Sequence, residues 1–149
     1  MSQPGPREVF ARLQEYLLAS APDLVADVWA EDVVVETPFA RPGRPRRVHG
    51  REDLLALARA GRATMPVRFE EIRDVVVHET ADPEVIVVEY EIAGTVTTTN
   101  RPAAAGFIGV LRARNGQIVH WREYQNVLAM AEALGRLPDQ LAGAAGQHA

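Results

Sequence analysis

The order of hydrophobic patterns along this chain predicts an α+β fold. The expected architecture is a cone-shaped α+β barrel, a strongly curved antiparallel or mixed sheet wrapped on N-terminal helices. Three observations carry that expectation. Helical periodicity dominates the early chain, strand-like alternation runs from residue 67 to residue 125, and a short helical pattern follows it. Helices laid across one face of a bent sheet leave an open mouth, a natural small-molecule pocket.

In residues 8–19, Val9, Phe10, Leu13, Tyr16 and Leu17 form the stripe of an amphipathic helix. Ser20, Ala21, Pro22 and Asp23 then restart a helix, with a cap candidate, a proline in the first turn and an acid at the positive end of the dipole. Its apolar face would hold Leu24, Val25, Val28 and Trp29. The stretch DVVVETPF, residues 32–39, switches to a short β-branched strand ended by Pro38. ARPGRPRRVHG reads as a loop. REDLLALARAGRAT reads as a third helix, acid-rich in its first turn and carrying Leu54, Leu55 and Leu57.

Residues 67–78 and 84–96 are expected as long strands separated by ETADP. Residues 103–114 and 117–125 flank Asn115-Gly116, the strongest short-range hairpin signal. Residues 127–134 form a closing helix, with Gly135 placed to end it and Pro138 just beyond. One domain over residues 8–135 is expected, with residues 1–7 and 136–149 as flexible tails. Both faces of the third strand pattern, residues 84–96, are apolar in places, Ile86 and Val88 alternating with Val85 and Val87. Such a sheet is expected to be covered on its far side by a second copy, making a homodimer.

Composition removes whole classes of chemistry. The chain of 149 residues has no cysteine, which excludes disulfides, thiol catalysis and thiolate metal sites. All 16 basic residues are arginine, which excludes a lysine Schiff base. The formal net charge of −4 offers no global attraction for nucleic acid or an anionic membrane. No long apolar run and no signal-peptide order is present, so a cytoplasmic protein is expected. There is no glycine-rich phosphate loop, no nucleotide fingerprint and no histidine pair at metal-ligand spacing. No cofactor and no metal is therefore expected.

The last strand pattern, IVHWREYQN, carries the most informative ionisable group. Period-two alternation puts Val119, Trp121 and Glu123 on one side and His120, Arg122 and Tyr124 on the other. With the Trp121 side turned into the cone, Glu123 lies in an aromatic-lined cavity, where desolvation raises its pKa and suits it to acid/base work. The alternative is an edge glutamate paired with an arginine such as Arg112. Tyr90 stands between Glu89 and Glu91, so either it or the two acids face inward. Burying like charges on one strand is the more costly arrangement, and an inward Tyr90 either lines the cavity or simply packs in the core. Trp29, Phe39, Phe69 and Phe107 are further aromatic candidates for the pocket lining. The run Arg41, Arg44, Arg46, Arg47 and Arg51 is basic enough to hold phosphate or carboxylate, although its interleaved prolines favour a solvated loop.

Several stretches together resemble a known family: WAEDVVVETPF, GRED at the third helix, EYEIAGTVTTTNRP, and RNGQIVHWREYQNVLAMAEALG. They are similar to the SnoaL-like branch of the nuclear transport factor 2-like superfamily, over residues 8–135. The resemblance implies the ketosteroid isomerase-like cone. It also implies a range of roles: ketosteroid isomerases, polyketide cyclases, limonene epoxide hydrolase, phenazine-biosynthesis proteins and members without catalysis. Carried over by residue, the isomerase aspartate that precedes the strand-ending proline falls on Thr37, a pocket position. The isomerase tyrosine falls on Leu13, with Tyr16 one turn away, and the second acid falls within residues 107–110. The acid/base aspartate of SnoaL-type aldol cyclases falls on Asn126, an amide that cannot take a proton at neutral pH. REYQN resembles the REF-x-N ending of phenazine-biosynthesis A/B proteins at Arg122, Glu123, Tyr124 and Asn126, which implies an acid/base role for Glu123.

The expected function is a cofactor-independent isomerase, cyclase, dehydratase or condensation enzyme of specialised metabolism. Its substrate would be a small hydrophobic organic molecule, with Glu123 moving the proton and Tyr90 and Asn126 orienting the substrate. The alternative is a non-catalytic binding or accessory protein using the same pocket.

Overall fold

The computed structural model describes residues 2–19 and 21–136. Helix α1, Pro6–Leu18, begins with a proline where the missing N–H costs no hydrogen bond. It buries Val9, Phe10, Leu13 and Tyr16, the predicted stripe. The expected second helix is instead a 3₁₀ segment, Pro22–Val28, interrupted by non-helical backbone at Val25. Leu24, expected on its apolar face, is 77% exposed. Trp29 belongs to the next strand, because its backbone pairs with Ile118. The pairing sets the boundary three residues earlier than local propensity does.

Strand β1, Trp29–Glu36, is followed by β2, Arg47–His49, which lies in the stretch expected to be a loop. Helix α2 spans Arg51–Thr64. The long strands are β3, Val67–Glu79, β4, Val85–Val96, β5, Arg101–Arg114, and β6, Gln117–Gln125. Helix α3, Val127–Ala133, closes the described chain, and Gly135 follows it at φ +66°, the left-handed conformation that ends helices. Of the expected C-terminal tail, residues 137–149 lie outside the described residues.

The six strands form one sheet in the order β2-β1-β6-β5-β4-β3. Strands β3 to β6 make an antiparallel meander, β1 runs parallel to β6, and β2 is antiparallel to β1. The sheet is mixed and unclosed, with the helices on its inner side, the α+β cone that the sequence predicts. Irregularities at Phe69/Glu71, Arg73/Val76 and Arg112/Ala113 bend it. At the first of these, a Cβ on Gly94 would stand 2.1 Å from the Arg68 carbonyl oxygen, so only glycine permits that backbone approach.

Tyr90, 3% exposed, joins Val88, Leu111, Ile118 and Trp121 on the inner face, packed against Val9, Phe10 and Leu13. The bulge near Arg112 moves one residue of β6, so that fully buried Ile118, rather than half-buried Val119, joins Trp121 in the core. The outer face carries polar pairs: Glu91 with Arg73, Glu89 with His78 and Glu36 with His120, each at 2.6 Å.

Candidate functional site

A cavity of about 440 Å³ opens between the inner face of the sheet and the helices α2 and α3. Its sheet side is Phe69 of β3, Ile92 and Gly94 of β4, Phe107 of β5 and Gln125 of β6. Leu57, Gly61 and Thr64 of α2 and Met130 and Ala133 of α3 form the opposite wall. The segment after β1 contributes Thr37, Ala40, Arg41, Arg44 and Pro45. That segment is held by the Thr37 N–H donating to the Arg46 carbonyl at 2.9 Å. The lining is mainly small and apolar, as small-molecule cavities are.

Directly behind this wall lies a polar cluster in an aromatic setting. The Tyr90 hydroxyl donates a hydrogen bond to Glu123 Oε2. The Gln125 amide donates to Glu123 Oε1 at 2.9 Å. Tyr90 stacks on Phe107 at 5.4 Å between ring centres, and Phe10 and Trp121 approach it at 5.7 Å and 6.4 Å. Room for this packing comes from Gly109, the cross-strand partner of Glu123. A Cβ there would stand 2.0 Å from the Trp121 indole.

Burial pushes the Glu123 carboxyl above its ordinary value, opposed by the hydrogen bonds from Tyr90 and Gln125. Burial, reinforced by the adjacent Glu123 charge, pushes Tyr90 well up, so its hydroxyl stays a neutral donor. The arrangement is therefore a buried carboxyl, raised from its ordinary value, with one donor on each oxygen.

The structure distributes the sequence-predicted residues over several environments. Glu123, Tyr90 and Trp121 come together, but none of them borders the cavity directly; Phe107 and Gln125 do. Thr37 and Phe69 line the cavity. Trp29 is a core residue, buried edge-on against Tyr16 at 5.2 Å. Phe39 is 60% exposed and stands edge-on to Tyr124, on the opposite side of β6 from Glu123. Asn126 caps α3, its side-chain oxygen accepting the Ala129 N–H at 3.1 Å.

Arg112 is occupied by Asp82 and Glu84 rather than by Glu123. Sequence reasoning did not single out Gln125, although period two from Trp121 and Glu123 lands on it. It also left Arg136 in a tail, whereas Arg136 borders the cavity just past α3. Among the described residues, no three histidine, aspartate or glutamate side chains gather to hold a metal, and no helix is long and apolar enough to cross a membrane.

Comparison with known proteins agrees with this geometry. The family model of the SnoaL-like domain matches residues 9–121. An uncharacterised PhzA/B-like protein of Pseudomonas aeruginosa is 38% identical over 109 residues, covering 73% of this chain and 75% of that protein. A crystal structure of a Bacillus subtilis protein, whose isomerase designation is itself provisional, has a TM-score of 0.78 at 26% identity, covering 87% of this chain and 92% of that one. A Catenulispora acidiphila protein with a ketosteroid isomerase-like fold has a TM-score of 0.70 at 16% identity, covering 91% and 96%, a likeness of fold alone. With its cone and its cavity in place, and with the family model matched over most of its length, the chain belongs to the SnoaL-like domain family.

Proposed function

We propose that the protein is a cofactor-independent acid/base enzyme of specialised metabolism, of the isomerase, cyclase, dehydratase or condensation type. It acts on a small, largely hydrophobic organic molecule held in the cavity. The observation that carries this reading is the Glu123 carboxyl, raised by burial and held between the Tyr90 hydroxyl and the Gln125 amide immediately behind an apolar cavity. Glu123 takes a proton from an activated carbon or hydroxyl and returns it elsewhere on the same molecule. Tyr90 steadies the carboxylate while it is charged, and a small rotation of Gln125 gives the ligand access to Oε1. One positioned acid/base group supplies roughly 10²–10⁴-fold, which matches substrates that are already reactive, such as polyketide- or imine-like intermediates.

A second reading is a non-catalytic binding or accessory protein. One observation favours it: Glu123 does not border the cavity, whereas Phe107 and Gln125 do. The cap made by Asn126 points the same way, since it occupies the side chain expected to orient a substrate. The two readings separate on one substitution. With the ligand identified by extraction from the purified protein, Glu123→Gln is expected to lower kcat by about 10²–10⁴ and to leave ligand affinity within about threefold. Turnover that survives the substitution removes the catalytic role of Glu123, and a ligand that the parent binds without converting assigns the protein to the binding reading.

The proposal includes a cytoplasmic homodimer joined through the outer sheet face. In support, Ile108 and Val76 are 45% and 47% exposed there, on strands whose other face is already packed.

A further inference from the structure

We propose that the rim of the cavity is a carboxylate-binding end, and that the ligand is an organic acid whose apolar body fills the interior. The inference rests on the reading of the cavity as a ligand site and adds the chemical class of the ligand. Three charged side chains border the cavity, Arg41, Arg44 and Arg136, and no carboxylate does among the described residues. All three are exposed while bordering the cavity, so they stand at its solvent side.

Seven other arginines pair with acids, while Arg46, Arg47, Arg101 and Arg122 make no ion pair among the described residues. Arg59 engages Asp23 through two nitrogens, Arg112 and Arg114 share Glu84, and Arg73 takes Glu91. Yet Arg41, Arg44 and Arg136 make no side-chain ion pair or hydrogen bond among the described residues, in a chain with 20 acidic residues against 16 basic ones. Their planar donor forks suit a carboxylate, and an apolar cavity behind them lowers the local dielectric on one side. An anionic ligand bound there meets three guanidinium groups of the lining and no carboxylate among the described residues.

The polar features of the interior place the rest of the ligand. Gln125 is the cavity residue bonded to Glu123, so it marks where a reacting group must come. A ligand anchored by its acid at the rim then presents its far end to Gln125. This gives the acid/base site a fixed substrate orientation, which its apolar walls alone cannot impose.

Titration calorimetry of the full chain with naphthoic acid, its neutral isostere naphthamide and naphthyl phosphate tests the proposal. Naphthoic acid is expected to bind about tenfold more tightly than naphthamide at low salt, with the difference shrinking as salt rises. The triple variant Arg41→Gln, Arg44→Gln, Arg136→Gln is expected to erase that preference while holding naphthamide within about twofold, which also shows the variant folded. Equal binding of acid and amide, or a preference that survives the triple variant, overturns the carboxylate end but leaves the cavity reading standing. Naphthyl phosphate binding more than about tenfold above naphthoic acid overturns the carboxylate in favour of a phosphate. No binding of any of the three overturns both the proposal and the cavity reading beneath it.

Discussion

The proposed chemistry of this protein rests on one carboxyl group and the two side chains that touch it. Glu123 is raised by burial, and the hydrogen bonds from Tyr90 and Gln125 restrain the rise. The sign for stability follows directly. The folded protein holds the Glu123 proton more tightly than the unfolded chain does, so this group's contribution is complete below the ordinary value of 4.5. It is lost as pH rises from there through the raised folded value. Tyr90→Phe removes a restraint, so the Glu123 pKa is expected to rise further and the pH window of lost stability to extend upward. At neutral pH the variant should lose roughly 1–3 kcal/mol, the worth of a buried hydrogen bond to a charged group. Carbon-detected NMR titration of the glutamate carboxyls, with thermal unfolding across the same pH range, checks both; a lower Glu123 pKa in the variant contradicts the assignment.

Among the elements, β6 and α3 do most to arrange the site. Trp121, Glu123 and Gln125 share the inward side of β6, which places the indole in the core, the carboxyl behind the wall and the amide on the cavity surface. The strand ends at Asn126, and its side chain starts α3, which supplies Met130 and Ala133 to the opposite wall. Asn126→Ala is expected to cost about 1 kcal/mol, whereas Asn126→Asp, which also caps, is expected to stay within about 0.5 kcal/mol of the parent. Chemical denaturation of the three proteins measures this. A parent-like stability of the alanine variant would remove the structural role of Asn126 and return it to consideration as a substrate contact.

At the scale of the whole molecule, the sheet has a packed inner face and an outer face that mixes ion pairs with exposed aliphatic groups. Ile108 and its cross-strand partner Tyr124 lie on that outer face, where Phe39 stands edge-on to Tyr124. A second copy covering this face is expected to bury Ile108, so Ile108→Arg should shift the protein from dimer to monomer in light scattering while leaving its secondary structure unchanged. A parent that is monomeric at all concentrations would rule out the interface. The same scale explains the misplaced elements. Residues 22–29 carry a helical apolar stripe, but β1 must reach β6, and its pairing draws Trp29 into the strand. Strand β2 has three residues and exists through its ladder with β1, so nothing in its local sequence could announce it.

By itself the sequence determined the α+β order and the limits of α2 and β6, and it favoured an inward Tyr90. These rest on local rules: helix and strand periods, the Asn115-Gly116 turn, and the cost of burying Glu89 and Glu91 together. Only the tertiary structure decided that Phe107 and Gln125 border the cavity while Glu123 does not, that Phe39 turns outward, and that Arg41, Arg44 and Arg136 all line the cavity. Those facts depend on bulges that reset strand register and on the approach of segments far apart in the chain, such as the loop after β1 and the end of α3. Pairing between distant strands and helices fixes them, and no window of neighbouring residues contains it.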